Sequence, residues 1–186
     1  MRVVAIVQAR LGSIRLPEKV LQNICDKPLI ELLLARLSYS TQVDEIIVAT
    51  SKEPKNDTLQ LFVESLGLKC TRGSEEDVLN RFYESAKEMN ADVVVRITGD
   101  CPLIDPVIVD QCINKFKEDN IDYCSNIDPA TFPDGLDVEV MSFKSLERAN
   151  LEAISSYDRE HVTTYIRNSE KFFKSSIRHI EDLSNF

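Results

Sequence analysis

In the stretch QARLGSIRLPEKVL, residues 8–21, Arg10, Arg15 and Lys19 stand around a Gly12-Ser13 pair. Glycine lets a backbone approach a ligand closely, serine adds a hydroxyl, and arginine presents a forked donor that matches phosphate oxygens two at a time. Such a turn suits a polyanion; a surface turn whose cations only face water is the plainer alternative. A second stretch, RITGDCPLID, sets Asp100 beside Gly99 and close to Pro102. An aspartate there can hold Mg²⁺, a hard cation that takes one or two carboxylates plus phosphate oxygens and water, or it can cap a turn or the helix that follows. In YDREHVTTYI, His161 lies three residues after Asp158 on an expected helix, where it is a candidate for contact with a second substrate, for docking the helix, or for a subunit contact. His179 has no partner in the pattern and takes no role.

These residues need a frame that gathers them. Arg2–Gln8 and Glu45–Thr50 read as strands, and Asp92–Thr98 as a β-branched run of the kind that fills a central parallel strand. Helices are expected at Pro28–Leu37, at Asp57–Leu66 with Gly67 ending it, from a Ser74-Glu-Glu-Asp77 start to about Met89, and at Pro106–Glu118. Short strands follow near Tyr123–Asn126 and Leu136–Ser142, then helices near Phe143–Leu151 and Tyr157–Asn168. The alternation predicts an α/β fold with a doubly wound, mostly parallel sheet, in one domain spanning residues 1–186. Ligands of such sheets bind at the carboxyl ends of the strands, which singles out the loops Ala9–Lys19, Thr50–Lys55, Arg72–Asp77 and Gly99–Asp105.

Composition bounds the function. At 186 residues and 43% hydrophobic the chain can bury an ample core, and it has no apolar run long enough to span a bilayer, nor a secretory leader. A cytoplasmic protein without a membrane partner is the expectation. Five cysteines without a C-x-x-C pair support neither a disulfide framework nor a zinc site. The net charge of −9 argues against nucleic acid as a partner. The charge is uneven: residues 8–27 carry four cations against two acids, whereas residues 99–139 carry ten acids against two lysines. A basic turn and an acidic stretch suit a polyanion held together with a divalent cation, although charge blocks are also common on solvated faces. Neither G-x-x-x-x-G-K-[ST] nor G-x-G-x-x-G is present, which disfavours a P-loop enzyme and an NAD-dependent oxidoreductase.

Six ordered segments carry a family resemblance: Q-A-R-x-G-S-x-R-L-P-x-K, V-A-T-S, R-G-S-E-x-D-V-L-x-R, R-I-T-G-D-C-P-L-I-D, F-P-D-G-L-D-V-E-V and R-E-H-V-T-x-Y-I. From Val3 to Ile180 the chain resembles the cytidylyltransferase-type sugar nucleotidyltransferases, above all the spore coat polysaccharide biosynthesis protein F group, related to the acylneuraminate and 3-deoxy-manno-octulosonate cytidylyltransferases. The resemblance implies a GT-A-like nucleotide-binding fold and transfer of a nucleoside monophosphate, CMP from CTP ahead of other triphosphates, to a sugar or sugar acid for surface polysaccharide, with loss of pyrophosphate. It implies that Arg10, Gly12, Ser13, Arg15 and Lys19 hold the triphosphate, with Arg10, Lys19 and Asp100 as the catalytic set and Mg²⁺ on Asp100. Gln8, Ala9, Thr50, Ser51, Arg72, Asp77 and Thr98 would surround the nucleotide, although Arg72 and Asp77 also suit an exposed arginine and a helix-start acid. Relatives of this kind continue into a segment of R-W-T-V-D-x-P-E-D-L type whose aspartate is a second metal ligand, and this sequence stops at EDLSNF. A shortened chain or a different metal site is therefore expected. Asp137 and Glu139, two apart on one strand face, could supply that ligand; sugar binding or a structural acid pair are the alternatives. Arg159 and His161 complete the acceptor candidates. A homodimer is left open, and a nucleotide-binding module without catalysis is the alternative reading.

Overall fold

The computed structural model describes residues 1–12 and 16–185. Nine strands are found among them: β1 (Val3–Gln8), β2 (Asn23–Ile24), β3 (Lys27–Pro28), β4 (Glu45–Ser51), β5 (Lys69–Gly73), β6 (Val93–Thr98), β7 (Tyr123–Ser125), β8 (Glu139–Ser142) and β9 (Lys174–Ser176). The helices are α1 (Leu29–Leu37), α2 (Asp57–Ser65), α3 (Val78–Glu88), α4 (Pro106–Asp119), α5 (Phe143–Glu152), α6 (Ser156–His161) and α7 (Thr164–Asn168). Seven strands form one sheet in the order β5-β4-β1-β6-β8-β7-β9, and β2 and β3 form a small antiparallel ribbon. Pairing is parallel throughout the main sheet except at β8, which runs against both β6 and β7. This is the mostly parallel α/β sheet that the strand–helix alternation predicts.

The sheet is covered on both faces. Val3, Ala5, Val7, Val93 and Val95 point to one face and pack with Leu33, Leu37, Leu59, Val63 and Ile113 of α1, α2 and α4. Val4, Ile6, Ile47 and Val94 point to the other and pack with Phe82, Ala86, Leu146 and Ile166 of α3, α5 and α7. β1 and β6 therefore read as unbroken apolar runs, because successive side chains of a strand alternate between faces and here both faces are buried.

Three local differences from the sequence expectation have clear causes. β5 is KCTRG, too short and too polar to stand out as a strand, and is held by its register beside β4 (Val48 with Cys70, Thr50 with Arg72). The cap of α3 is Asp77, whose carboxylate accepts from Asn80 N at 3.0 Å; Ser74 lies one turn earlier and accepts from Asp77 N. The helix expected over Tyr157–Asn168 is split at Val162, which has φ 60° and ψ −59°, with Thr163 N donating to His161 O at 2.6 Å. That three-residue turn of positive φ is costly for a β-branched residue, and burial of the Val162 side chain offsets the cost.

Candidate active site

At the carboxyl ends of β1 and β6, where the chain leaves toward opposite edges of the sheet, through α1 to β4 and through α4 to β7, a cleft of about 680 Å³ opens. Of the residues expected at the site, Gln8, Ala9, Arg10, Gly12, Lys19, Thr98, Asp100 and His161 line it. Ser13 and Arg15 lie outside the described residues. The floor is tightly built: Gly99 N donates to Gln8 O at 2.8 Å, and a Cβ on Gly99 would sit 2.7 Å from that carbonyl oxygen. Glycine is needed here because two strand exits touch backbone to backbone.

The charges in the cleft are paired across long sequence separations. Lys19 Nζ lies 2.5 Å from Asp100 Oδ2. Burial alone would raise the Asp100 carboxyl, but the hydrogen bond and charge of Lys19, with help from its own backbone and Thr98, bring it below its ordinary value. Arg10 Nη1 and Lys55 Nζ each lie 3.2 Å from Glu75 Oε1. Burial raises Glu75 as well, and hydrogen bonds from Ser51 and Lys55 with the charges of Lys55 and Arg10 reverse this to a net lowering. The Lys55 ammonium rests against Gly12, 2.7 Å from where a Cβ would stand. Lys55, Glu75 and Arg81 are site residues that the sequence reading did not assign. Arg81 is 2% exposed, donates to Ser74 O at 2.6 Å and leaves its Nε without a partner, while burial pulls its guanidinium down to about 10. It therefore remains a cation at neutral pH.

Behind this wall a polar network holds the backbone at Leu11. Leu11 N donates to Asn56 Oδ1 at 2.8 Å, and Asn56 Nδ2 donates to Ser51 Oγ at 2.7 Å. Ser51 and Thr50 are fully buried, so their side chains support the cleft from behind. Arg72 turns the other way: it binds Ser51 O, Glu53 O, Asp57 and Gln60 and lines a separate groove with Lys52 and Glu84. Asp77 and Arg159 hold one another, with Nε to Oδ1 at 2.9 Å and Nη2 to Oδ2 at 2.6 Å, while Arg159 Nη1 also reaches Asn150 O at 2.7 Å. This pair clamps α6 onto α3 and so carries His161 to the rim of the cleft.

A smaller hollow of about 260 Å³ adjoins the cleft through Arg96, Thr98 and His161, and holds Asp137, Glu139, Tyr157 and Arg167. Glu139 is 2% exposed; one oxygen pairs with Arg96 Nη1 and the other accepts the Tyr123 hydroxyl at 2.6 Å. Arg96 Nε in turn donates to Gln8 Oε1 at 3.2 Å, which links the buried pair to the cleft. Asp137 is exposed at the rim, and partial burial together with Asp134 and Glu139 raises its carboxyl. No group of three or more histidine, cysteine or acidic side chains is gathered around a metal-sized space among the described residues. All five cysteines are free thiols. No helix among the described residues is long and apolar enough to cross a membrane.

The sequence model of the cytidylyltransferase family matches residues 4–183. The spore coat polysaccharide biosynthesis protein SpsF of Bacillus subtilis is 33% identical over 174 residues, which span 91% of this chain and 71% of that protein. A 3-deoxy-manno-octulosonate cytidylyltransferase of Pelobacter propionicus is 36% identical over 121 residues, 64% of this chain and 46% of that protein. Among solved structures, a cytidylyltransferase from Leptospira borgpetersenii superposes with a TM-score of 0.95 at 33% identity, covering 100% of this chain and 79% of that one.

Proposed function

The chain belongs to the cytidylyltransferase family, and from that premise we propose that it transfers CMP from CTP to a sugar or sugar acid, releasing pyrophosphate and supplying an activated sugar to surface polysaccharide synthesis. The observation that carries this reading is the convergence of Arg10, Lys19 and the buried Arg81 on one cleft whose floor is the Gly99–Asp100 turn. Cations fixed in advance where a triphosphate would lie stabilise the charge that grows on departing pyrophosphate, at no further cost of reorganisation. The acceptor hydroxyl oxygen attacks the α-phosphorus and gives its proton to water. A new oxygen–phosphorus bond forms as the bond from the α-phosphorus to the bridging oxygen breaks, and pyrophosphate leaves with that electron pair. The neighbouring hollow, reached past Arg96, Thr98 and His161, is the place from which an acceptor can approach. A sugar acid as acceptor draws on the relative named as a 3-deoxy-manno-octulosonate cytidylyltransferase, and the polysaccharide role on the Bacillus relative.

Mg²⁺ fits this cleft through Asp100, a lone half-exposed carboxylate held ionised beside Lys19. Hard cations of this kind are held by one or two carboxylates plus phosphate oxygens. When bound it would neutralise phosphate charge and make the α-phosphorus more electrophilic. Asp137 is the second candidate. Glu139 is already engaged on both oxygens, by Arg96 and by Tyr123.

The test is Lys19→Ala. Loss of this charged donor should weaken CTP·Mg²⁺ binding by about 1–3 kcal/mol, read by calorimetry, with pyrophosphate release falling in parallel. Unchanged affinity would remove Lys19 from the triphosphate site, and binding without any pyrophosphate release from a panel of sugar acids would favour a nucleotide-binding module.

A further inference from the structure

Past the acceptor hollow lies a third space that the nucleotide chemistry does not use. Over the paired strands β7 and β9, beside Arg167 of α7, a hollow of about 330 Å³ is lined by Arg167, Lys174, Arg178, Ser125 and Ser176, with Asp128 also in its wall. Arg167 lines both this hollow and the acceptor hollow, as Arg96, Thr98 and His161 line both the acceptor hollow and the cleft. The three spaces thus make a row, the trench, in which each shares at least one lining residue with the next.

Its far end is cationic in a chain of net charge −9. Arg178 is exposed and makes no hydrogen bond or ion pair among the described residues. Lys174 Nζ donates only to backbone oxygens, those of Arg167 at 2.7 Å and Ser169 at 2.8 Å, so its charge has no acid beside it. Arg167 Nε is buried without a partner, and its nearest acid, Asp128, is 3.9 Å from Nη2, beyond hydrogen-bonding distance. The Ser125 hydroxyl, 1% exposed beside Tyr123, has no hydrogen bond of acceptable geometry. Strand register sets Ser125 opposite both Glu139 and Ser176, and Glu139 opposite Arg96, so one polar row crosses the sheet beneath the trench. Buried donors left unpaired are costly, and Lys174 and Arg178 have no acid paired with them among the described residues, so a site that keeps both features is suited to a group that supplies acceptor oxygens and negative charge.

The geometry points to an anion subsite here, taking a carboxylate or phosphate carried by the acceptor at the end remote from its attacking oxygen. The inference rests on the acceptor lying in the adjoining hollow. Arg167 and Arg178 supply charge and forked donors, Ser125 and Ser176 supply hydroxyls, and neutral sugars are disfavoured because their hydroxyls bring no negative charge to meet the two guanidinium groups.

The experiment is an amide and arginine side-chain NMR titration of the whole chain saturated with CTP and Mg²⁺, which keeps added anions out of the first cleft. The probes are inorganic phosphate, glucose 6-phosphate, glucuronate and glucose. Glucose 6-phosphate or glucuronate should shift the Ser125 and Ser176 amides and Arg167 Nε–H together with the Asp137 and His161 signals, and glucose should not. Arg178→Met should weaken that binding at least tenfold and leave CTP affinity within twofold; it is exposed, so folding is not at issue. Arg167→Met should do the same. Equal binding by the variants, or glucose binding as well as its anionic derivatives, would overturn the subsite. Inorganic phosphate binding at Ser125 more tightly than either sugar anion, with Asp137 and His161 unmoved, would overturn its assignment to the acceptor. Failure of CTP to shift Gly12 and Gly99 would count instead against the nucleotide reading, and the phosphate titration would still decide whether the hollow takes an anion.

Discussion

Replacing Glu139 with glutamine separates a structural acid from a metal ligand. Its two oxygens are taken by Arg96 Nη1 and by the Tyr123 hydroxyl. Burial and the neighbouring Glu139 charge push the Tyr123 phenol well above its ordinary value, so it stays protonated and donates. Glutamine keeps the shape but accepts through one oxygen. A tyrosine hydroxyl can turn and accept from the new amide, whereas a guanidinium can only donate, so the surviving arrangement keeps the oxygen on Arg96. What disappears is the counter-charge of an arginine whose side chain is 13% exposed. Breaking a buried pair costs about 3–5 kcal/mol, and the hydrogen bond that persists reduces this to about 2–3 kcal/mol. For a chain of this size that corresponds to a fall of about 4–12 °C in melting temperature, measured by calorimetry at pH 7 without nucleotide or metal. Asp137→Asn is the control: its carboxyl is exposed and raised by partial burial and by Asp134 and Glu139, so removing the charge should be neutral or slightly stabilising. A Glu139→Gln protein melting within about 2 °C of wild type, or an Asp137→Asn protein melting lower than it, would refute this reasoning.

Gly99→Ala should cost about 1–3 kcal/mol and weaken CTP binding, since the new Cβ would meet Gln8 O at 2.7 Å and Ala9 Cβ at 2.8 Å; unchanged melting and affinity would show that the floor can yield. Asp100→Asn should abolish metal-dependent pyrophosphate release while moving the melting temperature little, because an ion pair this exposed contributes little to stability; wild-type rates would take Asp100 out of the site. Glu75 has a lowered folded value, so the stability it contributes is present above the unfolded carboxylate value of about 4.3 and is lost as pH falls through the folded one. Melting curves of Glu75→Gln should therefore approach those of wild type on acidification below about pH 5, and at pH 7 the variant, with Arg10 and Lys55 released, should bind CTP severalfold more tightly. Parallel pH curves, or weaker binding by the variant, would show that Glu75 does not hold these cations in reserve.

Periodicity made the frame legible: β1 and β6 are apolar on both faces, Pro28 and Pro106 mark the starts of α1 and α4, and Gly67, at φ 79°, follows the end of α2. The weaker strands were not legible, because KCTRG and KSS have no pattern of their own and take their conformation from neighbours. Nor was the split between α6 and α7, since nothing in REHVTT marks a buried valine at positive φ.

At the site, the types of residue pointed to anion chemistry, but their pairing could not be read. Lys19 meets Asp100 across 81 positions, Arg10 meets Glu75 across 65, and Arg96 meets Glu139 across 43, so each acid's role depends on which cation the fold delivers to it. Asp137 and Glu139 show the consequence. They are two apart and chemically alike, yet one is exposed at the rim and the other is enclosed between Arg96 and Tyr123. Likeness of residue type therefore assigns them the same candidate roles, whereas burial sets one to anchoring the sheet beneath the trench and leaves the other open to a ligand.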